Sequence, residues 1–134
     1  MYWDANNLYG WAMSQSLPYK NIRFDRNISI EDVLKTPDDD EVGYIIELDL
    51  LVPKNEKLHD KLKEFPPCPE NMAVNKNMLS DYQVKNAENN NVKLNSKTGL
   101  SASTKLIPHL MDKNNYCIHY SNLKYVVELG YEIG

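Results

Sequence analysis

The chain has 134 residues, of which 42% are hydrophobic and 25% charged, with a mean hydropathy of -0.58 and a formal net charge of -4 at pH 7. This composition is typical of a folded domain and excludes a disordered chain. No apolar run reaches the roughly 18 residues of a membrane span, and no signal-peptide pattern opens the chain, so we expect an intracellular protein that does not enter the membrane. The acidic balance also argues against a self-sufficient DNA-binding domain, which would present a basic surface.

The cysteine and histidine positions indicate no metal site. Cys68 and Cys117 form no C-x-x-C pair, so neither a zinc site nor a disulfide framework is predicted, and we expect two ordinary buried thiols. His59, His109 and His119 lack metal-ligand spacing. We therefore interpret them as surface or half-buried residues.

The first predicted element is a short helix. Its apolar residues follow i, i+3, i+4 spacing, which favours a single apolar face made of Leu8, Trp11 and Ala12. Asn6 or Asn7 is the expected N-cap. The helix should end at residues 17–18, because a residue before proline disfavours the helical conformation, and a loop or edge strand should follow through Phe24.

A second helix and the clearest strand of the chain follow. The helix should begin at its N-cap Ser29 and continue to about Thr36, with Pro37 after it. We interpret the acidic run 38–41 as a solvated loop and not as a metal site. Residues 43–52 predict a strand with Ile46, Leu48 and Leu50 on one face, whereas its strand neighbours cannot be identified from the sequence.

The second half of the chain predicts further short elements of both kinds. In chain order these are a charged helix over 55–64, an extended proline-rich segment over 66–69, an exposed polar loop or hairpin tip over 86–103, a strand over 115–120, a helix over 121–129 and a strand from 131. Ser121 is the expected N-cap of the last helix and Gly130 its C-terminal glycine. The mixture predicts an α+β fold. Because both chain ends fall in predicted structure, we expect a fragment of a longer protein.

Basic and aromatic residues are interleaved in the last third of the chain, and two interpretations remain open. A single-strand nucleic-acid binder would use such residues for phosphate neutralisation and base stacking. The stronger interpretation is a half-buried helix face with lysines whose stems lie along apolar surface. The residues concerned are Lys105, Lys113 and Lys124 with Tyr116, Tyr120 and Tyr125.

The most informative motif lies at the N-terminus, where an acidic residue is followed by two polar residues and a helix start. This stretch, Asp4-Ala5-Asn6-Asn7-Leu8-Tyr9-Gly10, resembles motif A of family-B DNA polymerases, D-x-x-S-L-Y-P. In that family the aspartate ligates two magnesium ions and the tyrosine packs under the incoming sugar, where it excludes ribonucleotides. The resemblance implies that Asp4 is a catalytic Mg2+ ligand and that Asn7, Leu8 and Tyr9 bind the nucleotide.

The chemistry of two-metal phosphoryl transfer explains why such residues are needed. The metal ions clamp the attacking and leaving oxygens, so their carboxylate ligands must sit on rigid elements. Mg2+ takes one or two protein carboxylates together with substrate phosphates. Asp4 can therefore supply only part of a site, and the partner ligands are expected outside this chain. Without the resemblance, Asp4 would be an ordinary N-cap or turn aspartate and Tyr9 a core aromatic, as Trp11 is still expected to be.

The resemblance extends along nearly the whole chain. D-A-N-N-L-Y-G-W-A-M-S-Q is similar to the motif of protein-primed polymerases from self-synthesising DNA transposons and related viruses, with Asn7 in place of serine and Gly10 in place of proline. Further similar blocks are G-Y-I-I-E-L-D-L from residue 43, M-L-S-D-Y-Q from residue 78 and Y-C-I-H-Y-S-N-L-K-Y-V-V-E-L from residue 116. The weakest parts are residues 28–41 and 86–103.

The resemblance implies a domain organisation and a set of partners. Residues 1–17 would be a palm segment, and residues 18–134 the palm insertion that contacts the priming terminal protein and template DNA. The expected partners are a DNA template-primer, a deoxynucleoside triphosphate and a terminal protein. The family's fingers motif K-x-x-x-N-S-x-Y-G and its D-T-D motif do not occur in this sequence, so the chain alone should not catalyse synthesis. The alternative is a non-catalytic module that binds a terminal protein or DNA.

Overall fold

The computed structural model describes residues 5–74, 76–91 and 104–134. These residues form an α+β fold with one three-stranded and one two-stranded sheet. The helices are α1 (Leu8–Met13), α2 (Ile30–Lys35), α3 (Glu56–Leu62), α4 (Asp81–Asn89) and α5 (Tyr120–Leu129), and the strands are β1 (Ile45–Leu51), β2 (Glu70–Met72), β3 (Lys105–Ile107), β4 (Lys113–His119) and β5 (Glu132–Ile133). A 3-10 turn spans Lys76–Met78. None of the described helices is long and apolar enough to cross a membrane.

The chain divides into two compact units. Unit 1 combines Met1–Val52 with Asp112–Gly134, and unit 2 is Pro53–Met111. The sheet of unit 1 has β1 at its centre, with β4 and β5 antiparallel on either side. The strand predicted over 43–52 is confirmed as β1 in a shorter form. Its two neighbours come from the end of the chain, which local sequence does not reveal.

A bulge interrupts the pairing of β1 with β4. Leu48 faces Tyr116 and Leu50 faces Lys113, so β4 advances three residues where β1 advances two. The extra residue is accommodated around Asn115, whose φ of 51° is left-handed, a conformation that asparagine tolerates. The Asn115 amide donates to the Asp49 carboxylate at 2.7 Å instead of to a strand carbonyl. A second carboxylate, that of Asp112, accepts the Val52 amide at 2.7 Å, so side chains satisfy backbone donors at this end of the sheet.

The core of unit 1 involves β1 and the two helices α2 and α5. α5 buries one side of the helix, α2 contributes Val33, and β1 contributes the fully buried Leu50. Burying an aliphatic side chain of this size contributes about 1.5–3 kcal/mol, so these few residues account for much of the unit's stability. The residues that α5 buries are Tyr120, Leu123 and Val126.

α5 follows β4 without a loop, and this junction corrects one prediction. The N-cap is His119 and not Ser121, because β4 continues to His119, whose side chain accepts the Ser121 amide. The predicted C-terminal glycine is confirmed, with Gly130 at a φ of 111°. The Gly130 amide donates to the Val127 carbonyl at 2.9 Å and the Tyr131 amide to the Val126 carbonyl at 3.0 Å, which is the Schellman pattern.

Side-chain caps also explain where the other helices start. Ser29 accepts the Glu31 amide at the start of α2, and Asn55 accepts the Lys57 amide at the start of α3, so both predicted helices are confirmed. α4 begins with a full capping box between Ser80 and Gln83. The loop predicted from residue 86 is wrong for residues 86–89, because this box starts a helix that continues through them. Residues 92–103 of that prediction lie outside the described residues.

The two cysteines lie in different environments. Cys68 is buried, as predicted, although its φ of 57° bends the segment 66–69 that was predicted to be extended. Cys117 is exposed, so the prediction of two buried thiols is wrong at this position. The physical reason is strand alternation, because β4 turns Ile118 into the core and Cys117 outward, opposite Glu47 of β1.

Candidate functional site

The described residues of the polymerase-like motif surround the start of α1, whereas Asp4 lies outside the described residues. Asn7 occupies the predicted N-cap position with a left-handed conformation, φ 56° and ψ 42°. Its carbonyl accepts the Trp11 amide at 3.0 Å, but its side chain makes no capping hydrogen bond. The chain thus makes a sharp turn between residues 5 and 8, and the Asn7 amide group is left available for another contact.

Asn7 and Gly10 lie against each other at the start of α1. A Cβ added to Gly10 would lie 2.6 Å from Oδ1 and 2.7 Å from Cγ of Asn7, well inside van der Waals contact. The Asn7 side chain therefore occupies the space that a side chain at residue 10 would need. A side chain at residue 10 would therefore require the Asn7 side chain to move.

The remaining motif residues project away from the core. α1 contains no buried residue. Tyr9 is 87% exposed and Leu8 is more than half exposed, so both are accessible to a ligand. Trp11 is 62% exposed, and the prediction that it belongs to the core is wrong. Helical spacing predicted an apolar face on α1, but in unit 1 the helices that contribute buried residues to the core are α2 and α5.

No metal centre is formed by the described part of the chain. Among these residues there is no group of three or more His, Cys, Asp or Glu side chains that could hold an ion. The sequence between residues 5 and 24 contains no acidic residue at all. Residues 5–24, which follow Asp4 in the sequence, therefore offer no second carboxylate.

The basic and aromatic residues near the C-terminus form a structural cluster in unit 1. The buried Tyr120 hydroxyl donates to the Pro37 carbonyl at 2.8 Å. Lys124 Nζ donates to the Thr36 carbonyl at 2.7 Å, forms an ion pair with Asp38 and lies 5.0 Å from the Tyr120 ring centroid. These contacts fasten α5 to the loop after α2. The acidic run 38–41 in this loop is exposed, as predicted, and its Asp38 forms the ion pair with Lys124.

The other members of that pattern do not complete a nucleic-acid surface. Lys113 is fully buried on β4, Tyr125 is more than half exposed on α5, and Lys105 belongs to unit 2. For Tyr120 and Lys124 the interpretation as part of a half-buried helix face is therefore confirmed, whereas for Lys113 it is wrong, because this residue is fully buried on a strand.

His119 joins β4 to α5 and has a perturbed titration. Its Nδ1 accepts the Ser121 amide at 3.4 Å and lies 2.8 Å from the Ser121 hydroxyl oxygen. Burial lowers the pKa of the imidazole below its ordinary value of 6.5, Lys124 lowers it further, and Asp38 partly opposes this. The same burial raises the pKa of the neighbouring Tyr120 phenol. The neutral imidazole is thus the form that the fold accommodates.

Unit 2 contains an apolar cavity of about 370 Å³. Three methionines, Met72, Met78 and Met111, are among the residues that line it. Its polar side is His109, whose Nε2 lies 3.1 Å from the Glu70 carboxylate and whose Nδ1 accepts the Met111 amide at 3.2 Å. Because both imidazole nitrogens are engaged, the cavity presents mainly thioether and aliphatic surface. No feature of the sequence predicted it, since its residues are distant along the chain.

Comparison with known proteins identifies no relative of this chain. No family model, no curated protein and no solved structure matches it. The structure establishes a mixed α+β chain of two units whose N-terminal helix exposes its apolar face. The functional assignment is therefore argued from the chain's own residues.

Proposed function

We propose that this chain is part of a DNA-directed DNA polymerase of the protein-primed family-B type. Residues 1–17 would belong to the palm and residues 18–134 to its insertion. The observation that carries the proposal is the motif over residues 4–15, in which an acidic residue, a polar turn and an aromatic helix start keep the spacing of motif A.

The local geometry around α1 supports this proposal. A nucleotide-binding residue must be accessible, and Tyr9 and Leu8 at the helix start are exposed. The turn at Asn7 leaves its side-chain amide without a capping bond, so it can donate to a triphosphate oxygen.

In this proposal Asp4 supplies one carboxylate to a two-metal site. When bound, the two Mg2+ ions stabilise the attacking and leaving oxygens of nucleotidyl transfer. Asp4 would position the ions, Tyr9 would face the sugar and Asn7 would contact the phosphates. The remaining ligands would come from other parts of the longer protein, so the 134-residue chain alone should be inactive.

The first test is to translate the DNA that flanks this reading frame on both sides. We expect K-x-x-x-N-S-x-Y-G and then D-T-D downstream in the same frame. Native stop codons on both sides, with neither motif nearby, would overturn the assignment. The alternative of a non-catalytic module would then be favoured, because the exposed apolar side chains of α1 also suit a protein partner.

The second test measures primer extension by the full-length protein. Asp4→Asn should reduce the rate by on the order of a thousandfold, because it removes a metal ligand that contributes several kcal/mol to the transition state. Asp39→Asn, in the exposed loop after α2, is the matched control and should leave the rate unchanged. Equal activity of the two variants would show that Asp4 is not a catalytic ligand.

A third test addresses Tyr9. Replacing it with valine should raise incorporation of ribonucleotides relative to deoxyribonucleotides by about tenfold, because the ring no longer obstructs the 2'-hydroxyl. Tyr9→Phe keeps the ring and serves as the control. If both variants discriminate as well as the parent protein, Tyr9 does not face the sugar.

A further inference from the structure

The N-terminal segment of residues 5–28 differs in charge from the rest of the chain. Between residues 5 and 28 the charged residues are Lys20, Arg23, Asp25 and Arg26, three cations and one carboxylate, so the segment carries +2. Since the whole chain carries -4, the remaining residues carry -6. The only two arginines of the chain lie within these four positions, and its other 13 basic residues are lysines.

The same segment displays its apolar side chains to solvent. Tyr19 and Ile22 are more than four-fifths exposed and Phe24 is fully exposed. Lys20 Nζ lies 5.2 Å from the centroid of the Tyr19 ring. We name residues 19–26 the basic–aromatic strip.

The backbone of the strip is open as well. It contains neither helix nor strand, so of the predicted loop or edge strand the structure has the loop. The left-handed φ of 56° at Asn21 turns the chain between its two aromatic residues. Asp25 accepts the Asn27 amide at 3.0 Å and so partly occupies its own carboxylate. Among the described residues, neither arginine has an ion-pair or hydrogen-bond partner. Within the described part of the chain, both guanidinium groups are therefore available to an anion.

These features together favour one kind of ligand. Exposed aromatic rings next to unpaired cations suit a polymer that offers flat faces and regularly spaced negative charge, which is single-stranded nucleic acid. Arginine in particular binds phosphate with two parallel hydrogen bonds and stacks on planar groups. A duplex keeps its base faces stacked inside, and a membrane surface is usually bound by an amphipathic helix, which the strip does not form.

We propose that the basic–aromatic strip binds single-stranded DNA, with Tyr19 and Phe24 stacked on bases and Lys20, Arg23 and Arg26 paired with phosphates. That the bound strand is the template rests on the proposed polymerase function, whereas the affinity for single-stranded DNA does not. The acidic remainder of the chain weakens long-range attraction. Its effect on the strip is limited at 0.1 M salt, because charges more than about 10 Å away are largely screened.

The test is fluorescence anisotropy of the 134-residue chain with a labelled oligothymidine of about 15 nucleotides, and with a duplex of the same length. We expect tighter binding of the single strand. Because each neutralised phosphate contributes about -0.7 to the slope of log K against log salt, three contacts give a slope of about -2. Arg23→Gln should reduce the steepness by about 0.7, and Phe24→Ala should weaken binding by about tenfold at constant slope.

Matched controls separate the strip from general surface effects. Lys57→Gln removes an exposed lysine at the start of α3, and Tyr82→Ala removes an exposed tyrosine of α4; both should leave affinity and slope unchanged. Because all of these side chains are exposed, the variants should fold like the parent chain, as checked by circular dichroism. Equal affinity for single strand and duplex, or binding insensitive to Phe24→Ala, would overturn the proposal.

The outcomes for the strip and for the polymerase are distinguishable. If the strip binds single-stranded DNA but the flanking reading frame lacks the polymerase motifs, the proposed DNA-binding site stands and the proposed polymerase function is refuted. If the full-length protein is an active polymerase and its Phe24→Ala variant binds the single strand normally, the polymerase function stands and the proposed DNA-binding site is refuted. Equal binding to anionic lipid vesicles and to DNA would indicate charge attraction only and would also overturn the proposal that the strip binds single-stranded DNA.

Discussion

The helices α1 and α5 have similar apolar spacing and opposite environments. Leu8 and Trp11 of α1 are three residues apart, as are Tyr120 and Leu123 of α5, yet the first pair is exposed and the second is buried. α5 continues directly from β4 of the central sheet, so its apolar face is held in the core of unit 1. α1 is linked to the core through the long loop that contains the strip. The difference shows that amphipathic spacing predicts a helix face but not what covers it.

The two helices also differ in what can stabilise them. A helix of six residues is too short to be stable through its own hydrogen bonds, so its stability must come from packing. α1 obtains none from buried residues of its own unit. The N-terminal region thus exposes its apolar side chains, whereas β1, β4 and α5 contribute buried residues to the core of unit 1.

The largest effect that we expect separates the two helices by their contributions to stability. Leu123→Ala should lower the free energy of unfolding by about 2–5 kcal/mol, because it leaves a cavity beneath α5. Trp11→Ala should change it by less than about 0.5 kcal/mol, since the ring is exposed. Urea denaturation followed by circular dichroism measures both. Comparable losses for the two variants would show that α1 packs on the core in solution.

A smaller effect tests how α5 is fastened to the loop after α2. Tyr120→Phe removes the hydroxyl that donates to the Pro37 carbonyl and should cost about 1 kcal/mol of unfolding free energy. Tyr125→Phe, on the exposed side of the same helix, should cost nothing measurable. The same denaturation experiment compares them. If the two phenylalanine variants are equally stable, the Tyr120 hydroxyl bond does not contribute.

A third prediction concerns the contact between Asn7 and Gly10 within α1. Gly10→Ala should increase opening of the helix start, because the new methyl group displaces the Asn7 side chain. Asn7→Ser should relieve this, giving a coupling of about 0.5 kcal/mol between the two substitutions. Hydrogen exchange of the Trp11 amide, which donates to Asn7, reports the opening. Strictly additive effects would mean that the two residues do not touch.

The smallest effect that we expect is a pH dependence at the start of α5. The folded chain holds the His119 pKa below 6.5 through burial, so the unfolded chain takes up this proton first as pH falls. The contribution of neutral His119 to the free energy of unfolding is fully present above pH 6.5. It declines as the pH falls below 6.5 towards the lower pKa of the folded chain. His119→Asn keeps an N-cap acceptor without a titrating group and should remove the decline below pH 6.5. A decline that persists unchanged in the asparagine variant would assign it to another group.

Local signals predicted the elements that have local causes. Ser29 and Asn55 mark helix starts because their side chains accept nearby amides, and Gly130 marks a helix end because it adopts a left-handed conformation without a Cβ penalty. The errors arose where a distant contact decided the outcome. The N-cap of α5 is His119 and not the predicted Ser121, because β4 pairs with β1 as far as His119. Trp11 is exposed and not in the core as predicted, because other helices fill the core.

The sequence by itself determined the α+β content, the motif around Asp4 and the concentration of both arginines in the strip, because composition, spacing and capping are properties of neighbouring residues. Only the tertiary structure decided which strands pair with β1, where β4 bulges, and which apolar faces are covered. Those outcomes depend on contacts between residues distant in the chain, such as Leu50 with Lys113, and each apolar face is buried only if another element reaches it.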